Sequence, residues 1–102
     1  MNWDEILDLN NKQKKHLKGL AHPLNPVVMI GQNGVSEAVL NEINATLEAH
    51  ELIKIKIRCD DQEELKPLVK EITDKVSASL VQVLGHTVVL YRTAKEPKIK
   101  LP

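Results

Sequence analysis

The sequence is poor in the residues on which several common kinds of functional site depend. Cys59 is the only cysteine among 102 residues, so an internal disulfide cannot form and a zinc site built on cysteines is excluded. Trp3 and Tyr91 are the only aromatic residues, whereas RRM and OB-type proteins stack bases on aromatic side chains. If this chain binds nucleic acid, it should therefore read the backbone and the shape of a folded or double-stranded RNA.

Long apolar segments are also lacking. No stretch approaches the ~20 apolar residues that span a bilayer, and the N-terminus carries Asp4 and Glu5 instead of the apolar run of a signal peptide. We therefore expect a cytoplasmic protein without a membrane partner. A chain of 102 residues that is 42% hydrophobic can bury one core of its own, which predicts a single main domain.

Signatures of catalysis are scarce as well. No two histidines stand four apart as in a helical zinc motif, and the G-x-S-x-G, Walker A and dinucleotide-binding patterns are missing. Cys59 has no cysteine partner and lies at the end of a predicted strand, where a packed residue is commoner than a nucleophile. The sequence thus favours a protein that is not an enzyme and needs no cofactor or metal.

Charge is balanced overall but arranged in blocks, with 14 basic and 14 acidic residues. Residues 9–36 contain four lysines and no acid, whereas residues 37–51 contain four acids and no lysine or arginine. A neutral protein with such blocks can have one basic face. The candidate contacts to an anionic partner are Lys12, Lys14, Lys15, Lys18, Lys54, Lys56 and Arg92.

The first half of the chain predicts a helix, a strand and a second helix. Asn10 is a suitable N-cap for a helix of about ten residues that Pro23 ends. Leu17, Leu20 and Ala21 should share one face of it, with Lys14 and Lys18 on the opposite face. A strand is expected over 27–30, and a second helix is expected to start at Ser36 and run to about residue 50.

The second half predicts a strand, a helix and a hairpin. The alternation in "LIKIKIR" indicates a half-buried strand, with Ile53, Ile55 and Ile57 on one face and Lys54, Lys56 and Arg58 on the other. A third helix capped by Asp60 or Asp61 should begin near 62–64, because Pro67 is tolerated only early in a helix. "SLVQVLG" and "HTVVLYR" predict two antiparallel strands joined at Gly85 and His86.

The predicted order α-β-α-β-α-β-β defines the fold class. Strand-helix-strand units favour parallel pairing with right-handed crossovers, whereas the final hairpin is antiparallel. We therefore expect an α/β domain with a mixed four-stranded sheet and helices packed mainly on one face. The row of Lys54, Lys56 and Arg58 should then lie on the exposed face.

A short loop, Gly31-Gln32-Asn33-Gly34, joins the first strand to the second helix. Asn-Gly is a common turn pair, so the glycines can serve the turn alone. Alternatively, bare backbone lets main-chain N–H groups approach a phosphate, and the following helix N-terminus attracts anions. KH domains clamp the nucleic-acid backbone with a G-x-x-G loop, although theirs joins two helices. The loop alone leaves both interpretations open.

Three separated blocks, "LKGLAHPLNPVVMIGQNGVSEAV", "HELIKIKI" and "VQVLGHTVVLYR", resemble the YhbY family. These small bacterial proteins are stand-alone CRM domains, named for chloroplast RNA splicing and ribosome maturation. The resemblance covers residues 9–93, which leaves residues 1–8 as an N-terminal extension and residues 94–102 as a basic C-terminal tail. It implies a fold similar to the C-terminal domain of translation initiation factor three.

The resemblance also implies a function and a site. Family members bind RNA and the bacterial ones associate with precursors of the large ribosomal subunit, so the expected role is ribosome assembly without catalysis or DNA binding. The family's loop falls on Gly31, Gln32, Asn33 and Gly34, but many relatives have a basic residue where this chain has neutral ones. The charge should then come from neighbouring lysines. The alternative is a protein-interaction module that docks on ribosomal or other RNA–protein partners through its acidic helices.

Overall fold

The structure, a computed structural model, describes residues 9–31 and 34–102, and the N-terminal extension lies outside the described residues. The elements follow the predicted order. They are α1 (Asn11–Ala21), β1 (Pro26–Ile30), α2 (Glu37–His50), β2 (Leu52–Ile57), α3 (Gln62–Val76), β3 (Ser79–Leu84) and β4 (Thr87–Tyr91). None of the helices in these described ranges has the length and apolar character that a bilayer crossing requires.

Each helix starts at a side chain that caps it. Asn10 accepts a hydrogen bond from the main-chain N–H of Gln13, while the Gln13 side chain accepts one from Asn10, which completes a capping box. Ser36 and Asp61 likewise each accept from a main-chain N–H three residues further on. The three predicted helix starts are therefore confirmed, and α3 begins five residues before Pro67.

The four strands form one mixed sheet in the order β1-β2-β4-β3. β1 is parallel to β2, and β4 is antiparallel to both β2 and β3. Gly85, at φ +60°, lies in the turn between β3 and β4, where a residue with a side chain would be strained. The sheet type and the final hairpin are as predicted.

The two faces of the sheet are covered differently. On the first face, Ile53, Ile55 and Ile57 pack in one cluster with apolar residues of α2 and α3. On the second face, a smaller cluster joins the sheet to α1 and contains Leu17, Ala21, Leu52, Val81, Val89 and Tyr91. Helices thus lie mainly on one face, as predicted, and α1 covers part of the other.

The orientation of α1 differs from the prediction. Leu17 and Ala21 are buried, but Leu20 is 43% exposed and lines a groove with Leu24 and Val27. Lys14 is half-buried and, with Lys18, borders a depression against β3 instead of pointing away from the sheet. The prediction was wrong because the buried line of α1 runs through Leu17 and Ala21, one turn apart, so both Lys14 and Leu20 fall on its margins.

The C-terminal residues pack onto the same domain. Ile99 and Leu101 are half-buried against the second-face cluster that contains Leu17 and Tyr91. Ala94 is buried. Residues 94–102 therefore add to the covering of the second face, beside α1.

Candidate nucleic-acid interface

The basic residues of α1 lie on one side of the sheet and a row of acids lies on the other. Lys12, Lys15 and Lys18 are exposed, and no acid occurs in residues 9–36 to offset them. On the first-face side, α2 exposes Glu37, Glu42 and Glu48 and contains no lysine or arginine. α3, on the same side as α2, carries lysines as well as acids, so the contrast lies between the basic α1 and the acidic α2. It favours an anionic partner on the α1 side.

Lys54 lies on the second face, as predicted, but its ammonium group has internal partners. Nζ donates hydrogen bonds to the main-chain oxygens of His22, at 3.3 Å, and Leu24, at 3.0 Å. These carbonyl groups belong to the segment by which the chain leaves α1 and enters β1. Lys54 therefore fixes α1 against the sheet, and any contact it makes with RNA stays a prediction.

Lys56 and Arg58 are exposed at the open part of the second face. Lys56 lies between Met29 of β1 and Thr87 of β4 in the strand register. Arg58 follows β2, and its main-chain N–H donates to Ile30, 2.9 Å away. Both side chains are therefore accessible to a partner, and Arg58 also borders the cleft at the glycine loop.

Arg92 is held inside the domain on the first-face side. Nη1 donates to the side-chain oxygen of Asn44 at 2.7 Å and to the main-chain oxygen of Val76 at 2.6 Å. Nη2 donates to the main-chain oxygen of Asn44 at 3.1 Å and lies 3.6 Å from Glu48. The structure does not bring Arg92 together with the lysines of α1, and its guanidinium group ties α2 to the end of α3.

The glycine loop is described at its two ends, Gly31 and Gly34, whereas Gln32 and Asn33 lie outside the described residues. The N–H of Gly34 donates to the carbonyl oxygen of Gly31 at 3.1 Å, which closes a tight turn, and Gly34 has φ +82°. A Cβ added at either glycine meets nothing within 4 Å. The turn requires a glycine at Gly34, but neither positive φ nor close packing within the protein accounts for Gly31.

Acidic side chains lie closer to this loop than the sequence suggests. Gly31 and Gly34 border a cleft that is also lined by Arg58, Asp60 and Glu64. These two acids are about thirty positions away along the chain, so their proximity to the loop is not evident from the residues around it. Parallel pairing of β1 with β2 was the available signal, since it places the residues after both strands at one edge of the sheet. Binding of an anion at the loop would therefore depend on Arg58 and on main-chain N–H groups, which must outweigh the charges of Asp60 and Glu64.

Cys59, in the same cleft, has the character of a packed residue. Its Sγ donates to the main-chain oxygen of Asp61 at 3.2 Å. Burial, together with the carboxylates of Glu64, Asp61 and Asp60, raises the pKa of the Cys59 thiol. A protonated thiol is a poor nucleophile. Across residues 9–31 and 34–102, no group of three or more histidine, cysteine or acidic side chains is placed to hold a metal ion.

Comparison with known proteins places this chain among small proteins of similar length. Residues 9–92 match the model of the CRS1 / YhbY (CRM) domain. An RNA-binding protein of Haemophilus influenzae is 51% identical over 94 residues, which cover 92% of this chain and 95% of that protein. The probable RNA-binding protein YqeI of Bacillus subtilis is 37% identical over 95 residues, covering 92% of this chain and 99% of that protein.

A solved structure has the same fold. The solution structure of the hypothetical protein SAV1595 from Staphylococcus aureus matches with a TM-score of 0.82 and 39% sequence identity. The match covers 92% of this chain and 99% of that one.

Proposed function

We propose that this chain, which belongs to the CRS1 / YhbY (CRM) domain family, is an RNA-binding protein that contacts structured RNA with the α1 side of its sheet. One observation carries the proposal, namely the contrast between a basic helix, α1, on one side of the sheet and an acidic helix, α2, on the other. Lys12, Lys15 and Lys18 are exposed on α1 without an acid in residues 9–36, and the acids of α2 lie on the other side. The names of the Haemophilus and Bacillus relatives support the same class of partner.

The expected mode of binding is contact with phosphates and with the shape of the RNA. Lysine ammonium groups that neutralise phosphates release condensed counterions, which supplies affinity without reading sequence. Tyr91, the one aromatic residue in the described ranges, is 5% exposed, and its hydroxyl group lies 2.9 Å from Thr93 Oγ1. Because the Tyr91 ring is buried, the described residues offer no tyrosine or tryptophan on which a base could stack, which favours contact with the backbone of a folded or double-stranded RNA.

The specific partner in this proposal is the RNA of a precursor of the large ribosomal subunit, in the cytoplasm. The resemblance to the YhbY family supports this choice. Sedimentation of cell lysate tests it, because the protein should travel with precursor particles and leave them at high salt. If the protein sediments only with free protein at low salt, the ribosomal part of the proposal is contradicted. RNA binding would then be tested separately.

RNA binding itself is tested by titration of a structured RNA at several salt concentrations. The logarithm of the association constant should fall with the logarithm of the salt concentration, by roughly 0.7 to 0.9 per neutralised phosphate. A variant with Lys14, Lys15 and Lys18 replaced by alanine should bind more weakly and with a smaller slope. Lys75→Ala, on α3, is a control for the loss of one lysine elsewhere and should bind like the parent. An unchanged slope in the triple variant would exclude α1 from the interface.

A second candidate function is docking on a protein partner through the acidic helices. The exposed acids Glu37, Glu42 and Glu48 of α2 favour it, since α2 contains no lysine or arginine, although Arg92 lies 3.6 Å from Glu48. The two candidates differ in which residues they need. Substitution of these three glutamates by glutamine should leave RNA affinity at or above that of the parent, whereas protein docking would be weakened by it.

A further inference from the structure

A buried carboxylate anchors the C-terminal segment, which lies outside the part of the chain that the family model matches. Glu51 is fully buried, and its side chain accepts three main-chain hydrogen bonds. Oε2 accepts from Ala94 at 2.9 Å, and Oε1 accepts from Lys98 at 2.6 Å and from Ile99 at 2.8 Å. Glu51 also follows the last residue of α2 with φ +63°, an uncommon conformation for a residue with a side chain.

From this anchor the segment runs beside α1 in the opposite direction. Ile99 lines the groove that Leu20 and Leu24 border near the C-terminal end of α1. Three residues later, the main-chain oxygen of Pro102 accepts from Gln13 Nε2 at 3.5 Å, near the N-terminal end of α1. The segment therefore passes along one flank of the helix that carries the exposed lysines.

The packing of this segment leaves Lys100 facing solvent. Ile99 and Leu101 are half-buried against the second-face cluster, and Lys100 between them is exposed, as expected for an extended chain whose side chains alternate. Pro102 shares a shallow depression with Lys12 and Lys15 of α1. Lys98 is less available, since its Nζ donates to the main-chain oxygen of Ala49 at 2.8 Å.

We propose that residues 98–101 are a second RNA-contacting element beside α1, in which Lys100 contacts a phosphate and Glu51 is the residue that positions it. The basic surface then consists of two adjacent elements, a helix and an extended segment, instead of the helix alone. Glu51 acts through the main chain of the segment and does not touch the RNA. This inference rests on the proposed RNA-binding function.

The contact is tested by RNA titration against salt with Lys100→Ala. The slope should fall by roughly 0.7 to 0.9, the change expected for the loss of one phosphate contact, and the affinity should fall for many RNA sequences alike. Lys75→Ala serves as the control because it removes the same charge from the α3 side. An unchanged slope for Lys100→Ala, in a series where the parent binds RNA, overturns the inference. A parent that binds no RNA overturns the proposed function instead.

The positioning role is tested with Glu51→Gln, whose amide group cannot accept all three main-chain hydrogen bonds. It should lower the salt slope as Lys100→Ala does, and the double variant should show little further change, because both act on one contact. Ile99→Ala loosens the same segment while the Glu51 side chain is unchanged, and it should lower the slope in the same way. It replaces Glu51→Gln in the test if that variant does not fold. An unchanged slope for Glu51→Gln would overturn the positioning role, because a residue that served only stability would leave the Lys100 contact intact. Additive effects on the slope would overturn it as well, because they would show that Glu51 and Lys100 act on different contacts.

Discussion

Arg92 and Asn44 are joined by two hydrogen bonds, one to the side-chain oxygen of Asn44 at 2.7 Å and one to its main-chain oxygen at 3.1 Å. Together with the bond to Val76, they leave little of the guanidinium group for an external partner. We expect Arg92→Ala to lower the free energy of unfolding by about 1–3 kcal/mol, since partly buried acceptors lose their donor. RNA affinity, measured well below the melting temperature, should stay close to that of the parent, because the guanidinium group is engaged within the domain. A loss of affinity without a loss of stability would show instead that Arg92 belongs to the interface.

Substitutions at the two glycines that end the loop should distinguish its role in folding from its role in RNA binding. Gly34→Ala should cost about 1–2 kcal/mol, because φ at Gly34 is positive. Gly31→Ala should change stability by less than about 0.5 kcal/mol, since a Cβ there meets open space and no positive φ is required. If RNA approaches the bare backbone, Gly31→Ala should nevertheless weaken binding. Chemical denaturation and RNA titration of both variants check this, and parent-like binding by both would assign the loop to the turn alone.

Glu51 should make stability depend on pH in the acid range. Burial alone would raise the pKa of Glu51, but the main-chain N–H groups of Ala94, Lys98 and Ile99 and the charge of Lys98 outweigh it and lower that pKa. A carboxyl group with a lowered pKa in the folded state contributes stability above its ordinary value of about 4.3, and this contribution is lost as the pH falls through the lowered pKa. The difference in stability between the parent and Glu51→Gln, measured by denaturation at several pH values, should therefore be largest near neutral pH and shrink in acid. A difference that is the same at every pH would rule out this account.

Cys59 should react slowly with thiol reagents at neutral pH. Its raised pKa keeps the sulfur protonated, because the site is buried and the carboxylates of Glu64, Asp61 and Asp60 oppose a thiolate. Labelling followed against pH should give an apparent pKa above the ~8.5 of an unperturbed cysteine, and Glu64→Gln should bring it closer to that value. Rapid labelling at pH 7 would reopen the possibility that Cys59 is a nucleophile.

Local signals in the sequence were sufficient for most of the fold. Asn10, Ser36 and Asp61 cap helices with hydrogen bonds that span only three residues. In β2, the alternation of isoleucine and lysine indicates which side chains face the core. The hairpin at Gly85 is equally local. Such features depend on neighbours along the chain, which a single sequence displays.

The candidate interface was predicted less completely because its features depend on distant partners. Arg92 looked like an exposed base, but Asn44, forty-eight positions earlier, holds its guanidinium group. Glu51 is one of four acids in residues 37–51, and nothing near it in the sequence points to its partners, which are main-chain N–H groups more than forty positions later, in Ala94 to Ile99. Whether a charged side chain is neutralised, or a terminal segment is anchored, depends on contacts that form only when the chain folds.

The position of β2 inside the sheet sets an order of protection against hydrogen exchange. β2 and β4 each have a hydrogen-bonded strand on both sides, whereas β1 has β2 as its one neighbour in the sheet. Main-chain amides of β2 and β4 should exchange only when the whole domain unfolds, and those of β1 should exchange through smaller openings. Gly31 follows directly from β1, so the loop is attached to one of the less protected strands. A local opening of β1 would therefore free Gly31 while the centre of the sheet remains closed.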